Sequence, residues 1–136
     1  MIKYTIDLNE INKDMLYGFF VGWLNPPSSS THMKILEGSY LTWLAIDTTE
    51  SKVIGFINAI SDGVLTAYIP LIEVLPDYQN RGIGKELIKR MLDSLKHLYM
   101  VDLLCDPELQ GFYAKFGMNK ATGSFIRNYD RQNCEW

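Results

Sequence analysis

Three apolar runs lead into a turn at Pro76 and then into a helix with a sharply divided surface, and no other segment limits the fold of this chain as strongly. The runs Tyr40–Asp47, Val53–Ile60 and Val64–Leu75 are rich in β-branched and aromatic residues. They are separated by the turn segments Thr48-Thr49-Glu50-Ser51 and Ser61-Asp62-Gly63. Connections this short join antiparallel neighbours, so the runs read as a meander. From Gly84 to Leu98 the period changes from two to that of a helix. Leu87, Ile88, Met91, Leu92, Leu95 and Leu98 share one stripe, and Lys85, Glu86, Lys89, Arg90, Asp93 and Lys96 lie opposite. A helix of this kind is stable only with its apolar stripe packed, and the sheet just before it is the surface at hand.

The flanking segments extend this layer. Tyr99–Cys105 reads as a further strand, and Asp106-Pro107 as an N-cap and first turn for a helix that runs to Phe116 and closes at Gly117. Ser124–Tyr129 reads as a last strand. At the other end Lys3–Asp7 alternates like a strand. Asn9 then caps a helix bearing Ile11, Met15, Leu16, Phe19 and Phe20, which ends near Gly22. The Pro- and Ser-rich stretch Asn25–Ser30 is a loop, and a short helix Thr31–Glu37 stops at Gly38. The expected fold class is α/β (α+β): one domain over residues 1–136, with a central mixed, mostly antiparallel twisted sheet flanked by helices.

Composition agrees with one core, since 136 residues with 47% hydrophobic and 21% charged side chains are ordinary for a globule. Thirteen basic residues are scattered against 16 acidic ones, a balance that does not suit nucleic acid as partner. The longest apolar stretch, about Tyr17–Leu24, is too short to span a membrane, and Lys3, Asp7 and Glu10 do not suit an export signal. Cys105 and Cys134 lack the paired spacing of a zinc site or a disulfide framework, so no metal is expected and the reading is a reduced, cytoplasmic protein.

The run from Leu75 to Gly84 joins an apolar strand to the start of the long helix. Gly82 and Gly84 let the backbone turn tightly there and leave unpaired N–H groups open to a ligand. With the helix dipole and the flanking Arg81 and Lys85, this is an anion site suited to a pyrophosphate. It is not a P-loop, and it lacks the third glycine of a dinucleotide fingerprint. A plain strand-to-helix turn is the alternative.

The segment Ile72–Gly84 resembles motif A of the Gcn5-related N-acetyltransferase superfamily, with its Gln or Arg, two residues, Gly, one residue, Gly or Ala. Phe112–Met118 resembles that family's motif B, a tyrosine four residues before a glycine. The resemblance covers Val64–Met118 well and the first third only in outline. It implies acetyl-CoA as cosubstrate. The pyrophosphate would lie on the loop residues Asn80, Arg81, Gly82, Ile83, Gly84 and Lys85, and the pantetheine arm on the backbone of Ile72, Glu73 and Val74. It also implies a strand that bulges and splays from its neighbour. Pro70, without an N–H, suits such a break and equally suits an edge strand.

By the same resemblance Tyr113 is the general acid for the departing thiolate. Its position on an apolar stripe with Leu109, Phe112 and Phe116 equally suits a core residue. Proton transfer from a tyrosine to a thiolate is uphill by only about 2 kcal/mol, small enough for a concerted step. Asp106 stands where many relatives carry an asparagine that touches the cofactor, and a plain N-cap explains it as well. For the general base, the best-aligned positions hold Val101 and Tyr68. Glu73 is the remaining acid, either a partly buried base or a solvated residue near a strand end. His32 and His97 also titrate near neutrality, and Phe19, Phe20 and Trp23 line either the core or an apolar acceptor pocket. The resemblance thus implies direct transfer of acetyl to a primary amine, small or peptidic, with a homodimer left open. A CoA-binding sensor or interaction module on the same fold is the other class.

Overall fold

The computed structural model describes residues 1–135. Five strands form one sheet in sequential order: β1 (Ile2–Thr5), β2 (Leu41–Asp47), β3 (Lys52–Ser61), β4 (Thr66–Val74) and β5 (Met100–Asp102). The first four are antiparallel, and β5 joins β4 in parallel after a helical crossover. The mixed, mostly antiparallel sheet and the strands of the meander are as the sequence leads one to expect.

The central strand β3 is buried continuously from Val53 to Ala59 because both faces of the sheet are covered. On one face lies α2 (Ile83–Ser94), whose Leu87, Ile88 and Met91, with Leu95 just beyond, are fully buried. Gly55 permits the contact, since a Cβ there would stand 3.2 Å from Leu87 Cδ1 and 3.3 Å from Ile83 Cγ2. On the other face Phe56 meets His32 of α1 (Ser29–Glu37) at 4.6 Å between ring centroids, with Phe19 and Phe20 closing the cluster. Ser28 caps α1 by accepting from the Thr31 N–H at 3.1 Å, and Gly38 ends it.

Two expected elements are not formed. In place of a helix from Ile11 to Gly22 the chain makes 3-10 turns at Leu8–Glu10 and Lys13–Met15. Asp7 and Asn12, not Asn9, supply the caps, and Gly18, Phe20 and Gly22 all take positive φ. Three left-handed residues within five cannot sit in a right-handed helix, so the apolar spacing there serves a coiled loop. The strand expected over Ser124–Tyr129 is likewise missing. Residues 119–128 carry no regular structure, and a 3-10 turn follows at Tyr129–Arg131. A strand needs backbone hydrogen bonds to a neighbouring edge, and residues 119–128 donate none, although the outer edge of β5 is open.

His32 is 1% exposed, and neither ring nitrogen has a hydrogen-bond partner among the described residues. Burial among aromatic rings lowers its pKa from 6.5 to about 4. For a base whose folded pKa is depressed, stability is complete above pH 6.5 and is lost as pH falls toward 4. The loss amounts to about 3 kcal/mol at the acid end. Urea unfolding across that window should therefore show a downward slope that His32→Leu flattens, and parallel slopes would contradict it.

Candidate active site

β4 and β5 pair only over Thr66↔Met100, Ala67↔Val101 and Tyr68↔Asp102. Just beyond, Ile69 and Pro70 of β4 together oppose the single residue Ala59 of β3, a bulge placed where proline removes a ladder donor. From Ile69 to Val74 the edge of β4 that would face β5 therefore has no strand partner. Ile72, Glu73 and Val74 lie on this free stretch, half-buried.

The free edge ends beside the start of α2. Gly82 caps that helix with φ 80°, and open space surrounds the position a Cβ would take. The N–H groups of residues 80–85 find no acceptor among the described residues, while Glu86 N–H already donates to Gly82 C=O at 3.1 Å. Asn80 also has positive φ, at 64°. Arg81 and Lys85 are exposed beside these amides, whereas the Ile83 side chain is core, so Ile83 offers the site its backbone alone. The loop is held from behind. Tyr78 donates to Asp47 Oδ2 at 2.6 Å, an interaction that pushes the phenol pKa up to about 12, and Arg81 lies 5.0 Å from the Tyr78 ring centroid. Gln79 Nε2 donates to Val74 C=O at 3.0 Å, tying the loop to the end of β4.

At the other end of the free edge is a cavity of about 520 Å³, lined by Tyr68 of β4, Val101–Cys105, Gln110 and Tyr113, and the segment Met118–Phe125. Tyr113 belongs to α3 (Gln110–Ala114), a short helix that follows a 3-10 turn at Pro107–Leu109. It is 8% exposed, and its hydroxyl makes no hydrogen bond among the described residues. Burial, and secondarily Cys105, pushes its pKa up. Asp106 occupies the N-cap position with Pro107 after it, but its side chain makes no capping hydrogen bond; only its carbonyl accepts, from Leu109 N–H at 2.9 Å. The expected capping role of the Asp106 carboxylate is thus not realised.

Glu73 lies next to Val74, near the loop end of the free edge and away from the Tyr113 cavity. Its carboxylate accepts from Phe20 N–H at 2.9 Å and Val21 N–H at 3.2 Å, fastening the left-handed loop of the first third to β4. The sequence reading missed this anchor because the donors lie 53 and 52 residues away on backbone that periodicity assigns to a helix. It also missed Asp102, the one carboxylate on the cavity wall. An acid at an exposed position of a short strand looks like any solvated side chain. His32 is buried away from the cavity, and His97 lies at the end of the long helix's segment, its Nε2 3.5 Å from the Tyr40 hydroxyl.

A parallel strand that leaves its neighbour at a bulge, with free amides at one end and a tyrosine-lined cavity at the other, is the framework shared with solved acetyltransferase structures. The chain belongs to the acetyltransferase (GNAT) family, whose model matches residues 8–118. A crystal structure from Deinococcus radiodurans R1 superposes with a TM-score of 0.93 at 42% identity, over 97% of this chain and 92% of that one. A GNAT family acetyltransferase from Streptococcus pneumoniae TIGR4 gives a TM-score of 0.74 at 30% identity, over 94% and 98%. Among curated sequences, an uncharacterized N-acetyltransferase ycf52-like protein of Prochlorococcus marinus is 35% identical over 118 residues, 83% of this chain and 63% of that protein. The chain spans a little over half the length of the curated relatives it matches.

The anchoring role of Glu73 has a direct test. In Glu73→Gln one amide oxygen replaces two carboxylate oxygens and an NH2 group faces a backbone donor, so stability should fall by about 1 kcal/mol in chemical unfolding. An unchanged midpoint would show that the two hydrogen bonds do not hold the loop.

Proposed function

We propose that this chain transfers an acetyl group from acetyl-CoA to a primary amine, directly, with both substrates bound together. The observation that carries the reading is the continuity of the free β4 edge. It begins just past Tyr68, the last paired residue and part of the wall of the Tyr113 cavity, and ends at Val74, tied through Gln79 to the loop whose amides are unpaired. At the rise of a β-strand that stretch measures about 20 Å, comparable to an extended pantetheine arm.

The residues present fit this cosubstrate. The open cradle at Gly82, the free amides of residues 80–85 and the helix dipole suit a pyrophosphate, with Arg81 and Lys85 as positive neighbours. Along Ile72, Glu73 and Val74 the ladder alternates: Ile72 and Val74 turn their N–H groups outward to the amides of the arm, while the Glu73 backbone pairs with Phe56 and Val74 C=O accepts from Gln79. Asp106, its carboxylate free at the head of α3, stands one residue from Cys105 on the cavity wall and is the further cofactor contact in this reading. Acetyl-CoA supplies an acyl thioester, reactive toward a neutral amine.

Tyr113 is the group placed to protonate the leaving thiolate. Its raised pKa keeps the phenol protonated across the neutral range, and its hydroxyl is not committed to another acceptor. Glu73 is the proposed base. Two lone-pair sites remain on its carboxylate beyond the two backbone donors, and the proton would reach it along β4 from the Tyr113 end through a chain of waters. The apolar cavity wall of Leu103, Leu104, Met118 and Phe125 suits an amine with an apolar body, small or at the end of a peptide.

Release of free thiol from acetyl-CoA with a panel of amines tests the activity itself. For Tyr113→Phe, kcat should fall at least tenfold while acetyl-CoA affinity and the unfolding midpoint change little. A stable Tyr113→Phe variant with wild-type turnover would remove the tyrosine from the mechanism, and thiol release without any amine dependence would contradict transfer.

A further inference from the structure

The glycine turn before α2 is held by very little of its own. Residues 79–82 are exposed, nothing lies within 4 Å of a Cβ placed on Gly82, and the N–H groups of residues 80–82 donate no backbone hydrogen bond. Asn80 and Gly82 are both left-handed. A residue other than glycine is uncommon in that region, so the surroundings must select it at Asn80. Left to itself such a loop samples many shapes, and amides converging on one anion are only one of them.

What selects the shape arrives from another strand. Asp47 is the last residue of β2, 31 positions before Tyr78. Its Oδ1 accepts from the Thr49 N–H at 3.0 Å and the Glu50 N–H at 3.3 Å, which fixes the carboxylate and leaves Oδ2 to the Tyr78 hydroxyl, a donor at 2.6 Å. Donation by Tyr78, and after it by these two amides, lowers the Asp47 pKa from its ordinary value, so the acceptor is a charged one. The phenol ring held in this way has the Arg81 guanidinium 5.0 Å from its centroid, and Arg81 makes no ion pair among the described residues. That guanidinium is therefore free for a phosphate.

We propose that Asp47 is a positioning residue for the cosubstrate: through Tyr78 it fixes the glycine turn and Arg81 in the arrangement that receives the pyrophosphate. The proposal rests on the reading of this chain as an acetyl-CoA-dependent transferase. Asp47 acts through Tyr78 and not on the substrate. Its charge by itself works against the site, since a carboxylate near a polyanion repels it. A neutral acceptor would avoid that repulsion, but a charge-assisted hydrogen bond is shorter and about twice as strong as a neutral one, and the contact here is 2.6 Å. Charge and geometry therefore predict opposite outcomes when the carboxylate is removed: on charge alone acetyl-CoA binds more tightly, and on positioning it binds more weakly.

Amide NMR titrations with acetyl-CoA, and with S-acetylpantetheine, which lacks the pyrophosphate, separate the two. Acetyl-CoA should bind Asp47→Ala and Tyr78→Phe each about tenfold more weakly than wild type, and the double variant no more weakly than either, because both act along one path. Asp47→Asn, which keeps an acceptor oxygen, should recover part of the loss. S-acetylpantetheine should bind the wild type and the variants alike, whereas a loosened fold would weaken both donors equally. Should Asp47→Ala not fold, Tyr78→Phe, which keeps the ring and removes only the hydroxyl, carries the same test. Acetyl-CoA affinity that is unchanged or improved in these variants overturns the proposal, and so does a loss shared by S-acetylpantetheine. A wild-type chain that does not bind acetyl-CoA overturns the transferase reading itself, and the positioning role with it.

Discussion

Everything at the site depends on the place where β4 stops pairing with β5. Two residues of β4, one of them a proline, stand opposite one residue of β3, so the strand bends and its outer edge turns away from β5 after Tyr68. Unpaired backbone is costly when it is buried, and here it is left half-buried over Leu71–Val74. The rest of the fold holds this stretch in place. β3, buried on both faces, supports it from one side; α2, packed closely on Gly55, brings its N-terminus to the end of the strand; α3 brings Tyr113 to its beginning. Without the bulge the same elements would make a closed sheet with no slot.

Two long-range ties hold that slot in place. At one end, the ionised Asp47 at the end of β2 holds the Tyr78 hydroxyl, and Arg81 rests near that ring, so the glycine loop is carried on the sheet and not on its own flexibility. At the other side, Glu73 reaches back to two amides of a loop whose left-handed residues could not otherwise be fixed so near the strand. Both ties join residues more than 30 positions apart. They are also the reason that Glu73 on β4 has a structural task beside any chemical one.

What was legible in the sequence follows from this division. The meander, α2, the glycine turn and the position of Tyr113 arise from local period and local turn chemistry, and each is found within a few residues of its expected place. The first third was not legible. Ile11, Leu16, Phe19 and Phe20 are all buried, as a helical stripe would be, but the backbone between them turns left-handed three times to bring the phenyl rings onto His32. Apolar spacing reports which side chains are buried and says nothing of the path between them. Ser124–Tyr129 failed differently. Its strand composition is plain, but a strand is a property of a pair, and this segment makes no backbone hydrogen bond to the open edge of β5. Asp102 and the anchoring role of Glu73 were hidden because they acquire meaning only from residues brought near by the fold.

The central claim is that one cosubstrate lies along the free edge of β4 from Tyr113 to the start of α2. Hydrogen–deuterium exchange with and without acetyl-CoA tests it most directly, because the loop amides of residues 80–85 and the outward-facing amides of Ile72 and Val74 have no partner in the unliganded chain. The account predicts that acetyl-CoA slows exchange at Ile72 and Val74 and at residues 80–85 together. Protection of the loop without β4, or of neither, would contradict it.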